Sequence, residues 1–182
     1  MCLPLAGCAS KHTRIDLIAF DSAGAEQHHH AEFSRAWYRQ SPGGLLELVM
    51  QTERASKIDP TQTITQIFYI KTFWNPHPGR TYVEATQING QVEYAMLSPP
   101  TGVRYDGSGF LTYKFDQMSG KLVGEFESGT LAPRYRMGTA AEPFGPARFT
   151  GTIVAEENPG AVVNTLQMLQ AKFSEKIVVN EK

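Results

Sequence analysis

The chain has 182 residues, enough for one folded domain, and its 41% hydrophobic and 19% charged residues form an ordinary globular composition. Its 17 basic and 18 acidic residues are mixed along the sequence and leave a net charge of −1. Without a basic stripe to neutralise phosphates, nucleic acid is not an expected partner. The longest apolar runs also fall far short of the ~20 residues that a membrane-spanning helix needs.

Both cysteines, Cys2 and Cys8, lie at the start of the chain. No metal-ligand spacing can be built from them, and a disulfide between them would close only a short apolar stub. Cys8 ends the stretch Leu5-Ala6-Gly7-Cys8, which has a branched apolar residue, two small residues and then the cysteine. This order resembles the lipobox of bacterial lipoproteins.

The resemblance implies that the chain is cleaved before Cys8 and that the Cys8 thiol carries a diacylglyceryl group. Residues 1–7 would then be the remnant of a signal peptide and residues 8–13 a lipidated tether. The expected partner is a membrane, reached through the N-terminal lipid, and the expected location is the bacterial cell envelope. Ala9 follows the cysteine where an aspartate would indicate retention in the inner membrane. In a Gram-negative host this resembles the class held on the periplasmic side of the outer membrane.

The front of the signal peptide departs from the pattern. A signal peptide has a charged n-region and an apolar stretch of about 7–15 residues. The stretch MCLPLAG contains no Lys or Arg and is short. Two explanations remain open: the start has been assigned to a Met inside a longer signal peptide, or the sequence is a fragment.

From residue 14 to residue 157 the hydrophobic pattern has a period of two, which predicts strands. RIDLIAF is the first predicted strand, SAGAEQHHH a polar loop and AEFSRAWYRQ the next strand. Ser41–Gly44 predicts a turn, after which LLELVMQTE resumes a strand. Thr63–Trp74 is the most β-prone stretch, and its apolar side chains on both faces predict a central position.

The second half of the β domain is rich in turn signals. Asn89-Gly90 predicts a two-residue hairpin between TYVEATQI and QVEYAML, and Pro99-Pro100 ends the second of these strands. VRY, GFLTYKF, KLVGEFESG and TLAPRYRMG are predicted as separate short strands, with tight turns at DGSG and DQMSG. Pro133 predicts that TLAPRYRMG lies at an edge. ARFTGTIVAEE is the last predicted strand.

The final segment, residues 158–182, changes to a helical period. Asn158 suits an N-cap, Pro159 suits the first helical position, and apolar residues recur at helical spacing, which predicts a helix over about residues 159–175 and a short tail. The predicted fold class is mainly β: an antiparallel β-sandwich or partly closed β-barrel with one C-terminal α-helix. Turns in place of crossover helices argue against a parallel α/β fold.

Two groups of residues are candidates for a binding site. His28 and His30 would share one face of a strand and bind a metal if an acidic residue lay close, whereas in an exposed loop consecutive histidines diverge. Arg134 and Arg136 share a face around Tyr135 and suit a carboxylate or lipid phosphate, although charge also protects an edge strand.

No catalytic site or cofactor is predicted. The chain has no nucleophile motif, no phosphate-binding loop and no cysteine in its body. The pair Glu125 and Glu127 has a spacing that a glycosidase tolerates, but any solvated sheet face yields such pairs. The expected function is therefore that of a lipid-anchored β domain that binds an envelope protein or supports envelope structure. A small hydrophobic-ligand carrier with a barrel cavity is the alternative, and a metal-dependent envelope hydrolase is a third possibility.

Overall fold

A computed structural model describes most of the chain, namely residues 13–20, 24–56, 59–76, 88–140 and 143–174. The residues of the predicted lipobox, Leu5 to Cys8, and most of the predicted tether lie outside these ranges. The same holds for nearly all of the predicted strand TYVEATQI and for the C-terminal tail.

The described residues form nine strands and one helix. The elements are β1 (Arg14–Phe20), β2 (Glu26–Glu32), β3 (Arg35–Gln40), β4 (Leu46–Ala55), β5 (Thr63–Thr72), β6 (Gly90–Ser98), β7 (Thr101–Phe115), β8 (Leu122–Met137), β9 (Ala147–Glu157) and α1 (Pro159–Ser174). The bounds of β1 and β9 match the predicted strands, and buried positions alternate along both of them.

The strands β3 to β9 close into a barrel of seven strands, because β9 pairs with β8 on one edge and with β3 on the other. The contact with β3 is short and parallel, with Trp37 opposite Glu156. The rest of that edge of β9 is taken by β1, which also pairs with β2. The predicted class is confirmed, and the sheet closes fully into a barrel with the β1–β2 hairpin attached.

Aromatic side chains occupy the centre of the barrel. The ring of Phe68 lies 5.8 Å from Tyr94, 5.5 Å from Phe126 and 5.3 Å from Phe149, measured between ring centroids. All four side chains are buried. Edge-to-face packing at these distances fills space and adds stability beyond the area buried. At this level the interior of the barrel is therefore a packed core.

The helix α1 covers part of the outside of the barrel. Val162 and Leu169 are buried in a second apolar cluster with Val49 and Ile67 of the sheet. The predicted N-cap is confirmed, since Oδ1 of Asn158 accepts a hydrogen bond of 3.0 Å from the backbone N–H of Ala161. In the described part of the chain, no helix combines the length and the apolar character needed to cross a bilayer.

Two predictions about strand boundaries are wrong. The histidine run belongs to β2, which pairs with β1 along its whole length, so pairing overrides its polar sequence. VRY and GFLTYKF form one strand, β7, and the two following stretches form β8, with register shifts in place of turns. Gly107 in DGSG serves close packing, since a Cβ there would lie 1.8 Å from the carbonyl oxygen of Thr130.

Other predictions about this region hold. The DQMSG turn joins β7 to β8, with Gly120 at a φ of +68°. In the described chain β8 pairs with β9 only up to Leu131, so its last residues, with Pro133, form an edge as predicted.

The packing of Phe149 against Gly129 yields a stability prediction. A Cβ at Gly129 would lie 2.1 Å from Cζ of Phe149, so Gly129→Ala should lower the free energy of unfolding by about 1–3 kcal/mol through overpacking. Gly43→Ala is the matched control, because the nearest atom to its Cβ is 3.9 Å away. Urea denaturation measures both. Equal stability of the two variants would contradict the packing described here.

Candidate functional site

A cleft of about 770 Å³ opens on the outer face of the barrel, where β1, β2, β7, β8 and β9 lie side by side. Its lining combines apolar, hydroxyl and charged side chains. The lining residues are Asp16, Leu17, Ile18, His28, His30, Ile88, Ser108, Ser128, Gly129, Thr130, Arg148, Phe149 and Thr150.

Strand register brings these distant residues together. His28 lies opposite Ile18, Ile18 opposite Arg148, Arg148 opposite Thr130, and Thr130 opposite Ser108. Residues in register on neighbouring strands project from the same face, so this row forms a continuous strip across five strands. The cleft is thus a product of sheet topology.

A second row beside the first contains His30, Asp16 and Thr150. Nδ1 of His30 lies 2.7 Å from Oδ1 of Asp16, and Nε of Arg14 lies 3.4 Å from the other carboxylate oxygen. The His30 side chain is 71% exposed, so solvent screens this pair and it adds little to stability. Asp16 is therefore already engaged by two side chains.

The histidines reach the cleft but lack a metal-binding geometry. His28 and His30 share a face of β2, and Nε2 of His28 lies 3.8 Å from Glu26. The His29 ring packs instead against Phe144 at 5.1 Å. No group of three or more His, Cys, Asp or Glu side chains in the described ranges is arranged to hold a metal ion.

Among the described residues, Arg148 is the cation of the cleft whose charge is not matched by a carboxylate. Its guanidinium carbon lies 5.9 Å from the centre of the Phe20 ring. Within the residues that the structure describes, no acidic side chain lies in ion-pairing distance of Arg148. The hydroxyls of Thr130 and Ser108 lie in the same row, and Ile18 supplies apolar surface beside it.

The other predicted site residues lie away from the cleft. Arg134 and Arg136 are exposed on the edge segment of β8, and Cζ of Arg134 lies 5.9 Å from the Tyr135 ring. Glu125 and Glu127 are also exposed on the sheet face, and neither lines the cleft. Of the residues singled out from the sequence, only His28 and His30 line it.

The charged side chains of two polar clusters on the outer face of the barrel form ion pairs within each cluster. Glu47 pairs with Arg39 and Lys71 and accepts a hydrogen bond from the Tyr69 hydroxyl, whose pKa is raised by burial. Next to them, Arg104 lies 3.6 Å from Glu93 and 2.9 Å from Asp106. Burial raises the pKa of Glu93 despite this cation. Because their charges are paired internally, these clusters stabilise the sheet surface.

Asn89 positions Ile88 at the cleft, whereas the sequence pattern predicted that Asn89 belongs to a hairpin turn. The predicted hairpin at Asn89-Gly90 is wrong, because β6 already pairs with β5 and β7 on its two edges. Instead the buried amide of Asn89 donates to the carbonyl of Leu111 and accepts from its N–H, both at 2.8 Å. The Asn89 backbone also bonds to Phe73 and Gly109. These bonds fix Ile88 at the wall of the cleft.

Comparison of the chain with protein-family models, curated proteins and solved structures finds no match.

The role of Asn89 is testable by deletion of its amide. Asn89→Ala leaves the buried N–H and C=O of Leu111 without partners, so the free energy of unfolding should fall by about 1–3 kcal/mol or more. Asn164→Ala, on the exposed face of α1, is the control and should be close to neutral. A chemical denaturation series compares them. A neutral Asn89→Ala would show that the wall is held in another way.

Proposed function

We propose that this chain is a lipid-anchored binding protein of the bacterial envelope, and that its outer cleft holds an amphiphilic anion. The observation that carries the proposal is the position of Arg148, a guanidinium without a carboxylate partner among the described residues, between hydroxyl groups and an apolar surface. A cation in such a setting is suited to a ligand that brings its own negative charge.

The chemistry of the cleft defines the ligand class. A guanidinium donates two parallel hydrogen bonds to a carboxylate or phosphate, and hydroxyls such as Thr130 and Ser128 supply further donors. Ile18 and Ile88 offer contact to an apolar chain. The volume of about 770 Å³ lies within the range of small-molecule sites, roughly 300–1,000 Å³. One anionic head with one apolar tail satisfies all three features.

The arrangement supports binding in preference to catalysis. In the described part of the chain, no hydroxyl of the cleft is hydrogen-bonded to His28 or His30, so no nucleophile and base are coupled. The carrier hypothesis placed the ligand inside the barrel, where aromatic side chains pack together. The proposed ligand site is therefore the cleft on the outer surface, and not the barrel interior.

The proposed anchor depends on the lipobox pattern that ends at Cys8. A single acyl chain binds a membrane only marginally, whereas two or three chains attach a protein stably. Under this proposal the tether holds the domain at the envelope membrane, on the periplasmic side of the outer membrane in a Gram-negative host. The domain then meets amphiphiles or envelope proteins at that surface.

Ligand binding is tested with dansyl-labelled undecanoic acid, an amphiphile with a carboxylate head. Fluorescence titration should show saturable binding, and Arg148→Gln should weaken it about tenfold or more, because charge-assisted hydrogen bonds contribute about 1.5–3 kcal/mol. Arg134→Gln is the matched control: this arginine is exposed on the neighbouring strand β8 and lies outside the cleft.

Two results would contradict this assignment. One is saturable binding that Arg148→Gln leaves unchanged, which would place the ligand elsewhere. The other is no binding of the amphiphile together with specific binding of an envelope peptide, which would make the cleft a site for a protein partner.

Lipidation is tested in a bacterial host with the gene and its native upstream sequence. Intact-mass analysis should find a chain that begins at Cys8 and carries a diacylglyceryl group. Cys8→Ser should abolish both cleavage and lipid, whereas Cys2→Ser should change neither, because Cys2 lacks the preceding small residues. A protein without lipid on Cys8 would refute the anchor.

A further inference from the structure

We propose that the barrel rests on the bilayer with one particular end, where the turn between β7 and β8 inserts the side chain of Met118 among the lipids. This inference depends on the proposed anchor at Cys8. It adds an interaction surface, the β7–β8 turn, and a partner, the boundary between lipid head groups and acyl chains.

The tether enters the fold beside this turn. The hydroxyl of Thr13 donates to the carbonyl of Val154 at 3.1 Å and accepts from its N–H at 3.0 Å. Val154 lies opposite Val123 of β8, which lies opposite Lys114 of β7. Thr13 is therefore about two strand spacings, roughly 10 Å, from β8. The start of β1 and the β7–β8 turn belong to the same end of the barrel.

The turn projects beyond the point where the tether enters. Residues 115–121 continue past the Lys114–Val123 pair by about two residues on each strand, or roughly 7 Å. Met118 at the tip is 98% exposed and Phe115 at its base is 41% exposed. A fully exposed Met contributes no packing to the fold, so its side chain is free to contact a surface outside the molecule.

The reach of the tether matches this geometry. Five residue steps separate Cys8 from Thr13, and an extended chain spans at most about 3.6 Å per residue, roughly 18 Å in total. An acylated Cys8 sits at the membrane surface, so the entry point of β1 must lie within that distance of it. The turn, which extends further than Thr13, is then brought to the lipid surface.

The distribution of exposed apolar side chains agrees with this orientation. Among the large exposed apolar residues that the structure describes, four belong to connections or strand ends at this end of the barrel, and Phe20 and Tyr135 do not. The four are Phe73, Ile88, Phe115 and Met118. Ile88 also lines the cleft, and the other three give the end that the proposed tether enters an apolar character that suits a surface facing lipid.

The turn is rigid and carries suitable flanking charges. Asp116 accepts hydrogen bonds of 2.9 Å from the N–H of Met118 and from the Ser119 hydroxyl, and these bonds lower the pKa of Asp116. Lys114 and Lys121 flank the turn, with Lys121 paired to Glu156 at 2.8 Å. Lysines beside apolar residues place ammonium groups among phosphates while the apolar side chains enter the membrane. The backbone of Met118 is thus held at the tip of the turn before any insertion.

The test uses the anchored, full-length protein with Met118→Cys, labelled with an environment-sensitive NBD fluorophore. After cleavage and lipidation the introduced cysteine is the free thiol of the described domain. Reconstituted in vesicles with doxyl-labelled acyl chains, the probe should show blue-shifted emission and lose most of it to the doxyl quencher. Thr139→Cys, exposed in the turn after β8 at the opposite end, is the matched control and should show neither effect.

The outcomes separate this inference from the proposed function. Equal exposure of both probes, with lipid present on Cys8 by mass analysis of the same sample, would overturn the orientation and leave the anchor intact. A blue shift at Met118→Cys without doxyl quenching would indicate contact with a second copy of the chain and would also overturn it. Absence of lipid from Cys8 would instead refute the proposed anchor.

Discussion

The pairing of β9 is the constraint on which the rest of the structure depends. One edge of β9 pairs with β8, and its other edge is divided between β1 and the short contact with β3. This arrangement closes the barrel and pairs both edges of β9 along most of its length, and Phe149 from the same strand packs into the central core. Loss of the β9 pairing would open the core, the cleft and the tether attachment together.

The cleft and the proposed membrane end both follow from this strand. Arg148 and Thr150 project outward from β9 into the cleft, while Val154 further along holds Thr13, where the proposed tether would enter the fold. Inward residues of β9 build the core and outward residues build the site, as the alternation of a strand requires. In the proposed account, one strand therefore sets the position of the binding surface relative to the membrane.

The sequence was sufficient for elements whose signals are local. Alternation predicted β1 and β9, and Asn158 with Pro159 predicted the start of α1, because capping depends on neighbouring residues alone. The sequence was insufficient for elements whose structure is decided by pairing with a distant strand. The histidine run has little intrinsic preference for a strand and adopts one against β1. Asn89 looked like a turn residue, yet its amide bonds to the backbone of Leu111, which is 22 positions away.

The cleft could not be predicted from the sequence, because strand pairing brings its residues together from distant parts of the chain. Arg148 is an ordinary exposed residue of a strand in the sequence, and only the register of five strands places it beside Ile18 and Thr130. The arginines that the sequence favoured, Arg134 and Arg136, lie on an edge segment away from the cleft. The signal for the site lies in the fold, as an arginine in a concave surface with no carboxylate partner among the described residues.

We propose that the cleft holds an amphiphilic anion at the envelope membrane. The most direct measurement is mass spectrometry of the protein isolated from its host envelope, first under native conditions and then after denaturation. We expect the native spectrum to include the mass of a non-covalent anionic amphiphile. Denaturation should release this amphiphile, while the chain keeps the mass of its covalent lipid at Cys8. A chain that carries neither mass would contradict the account.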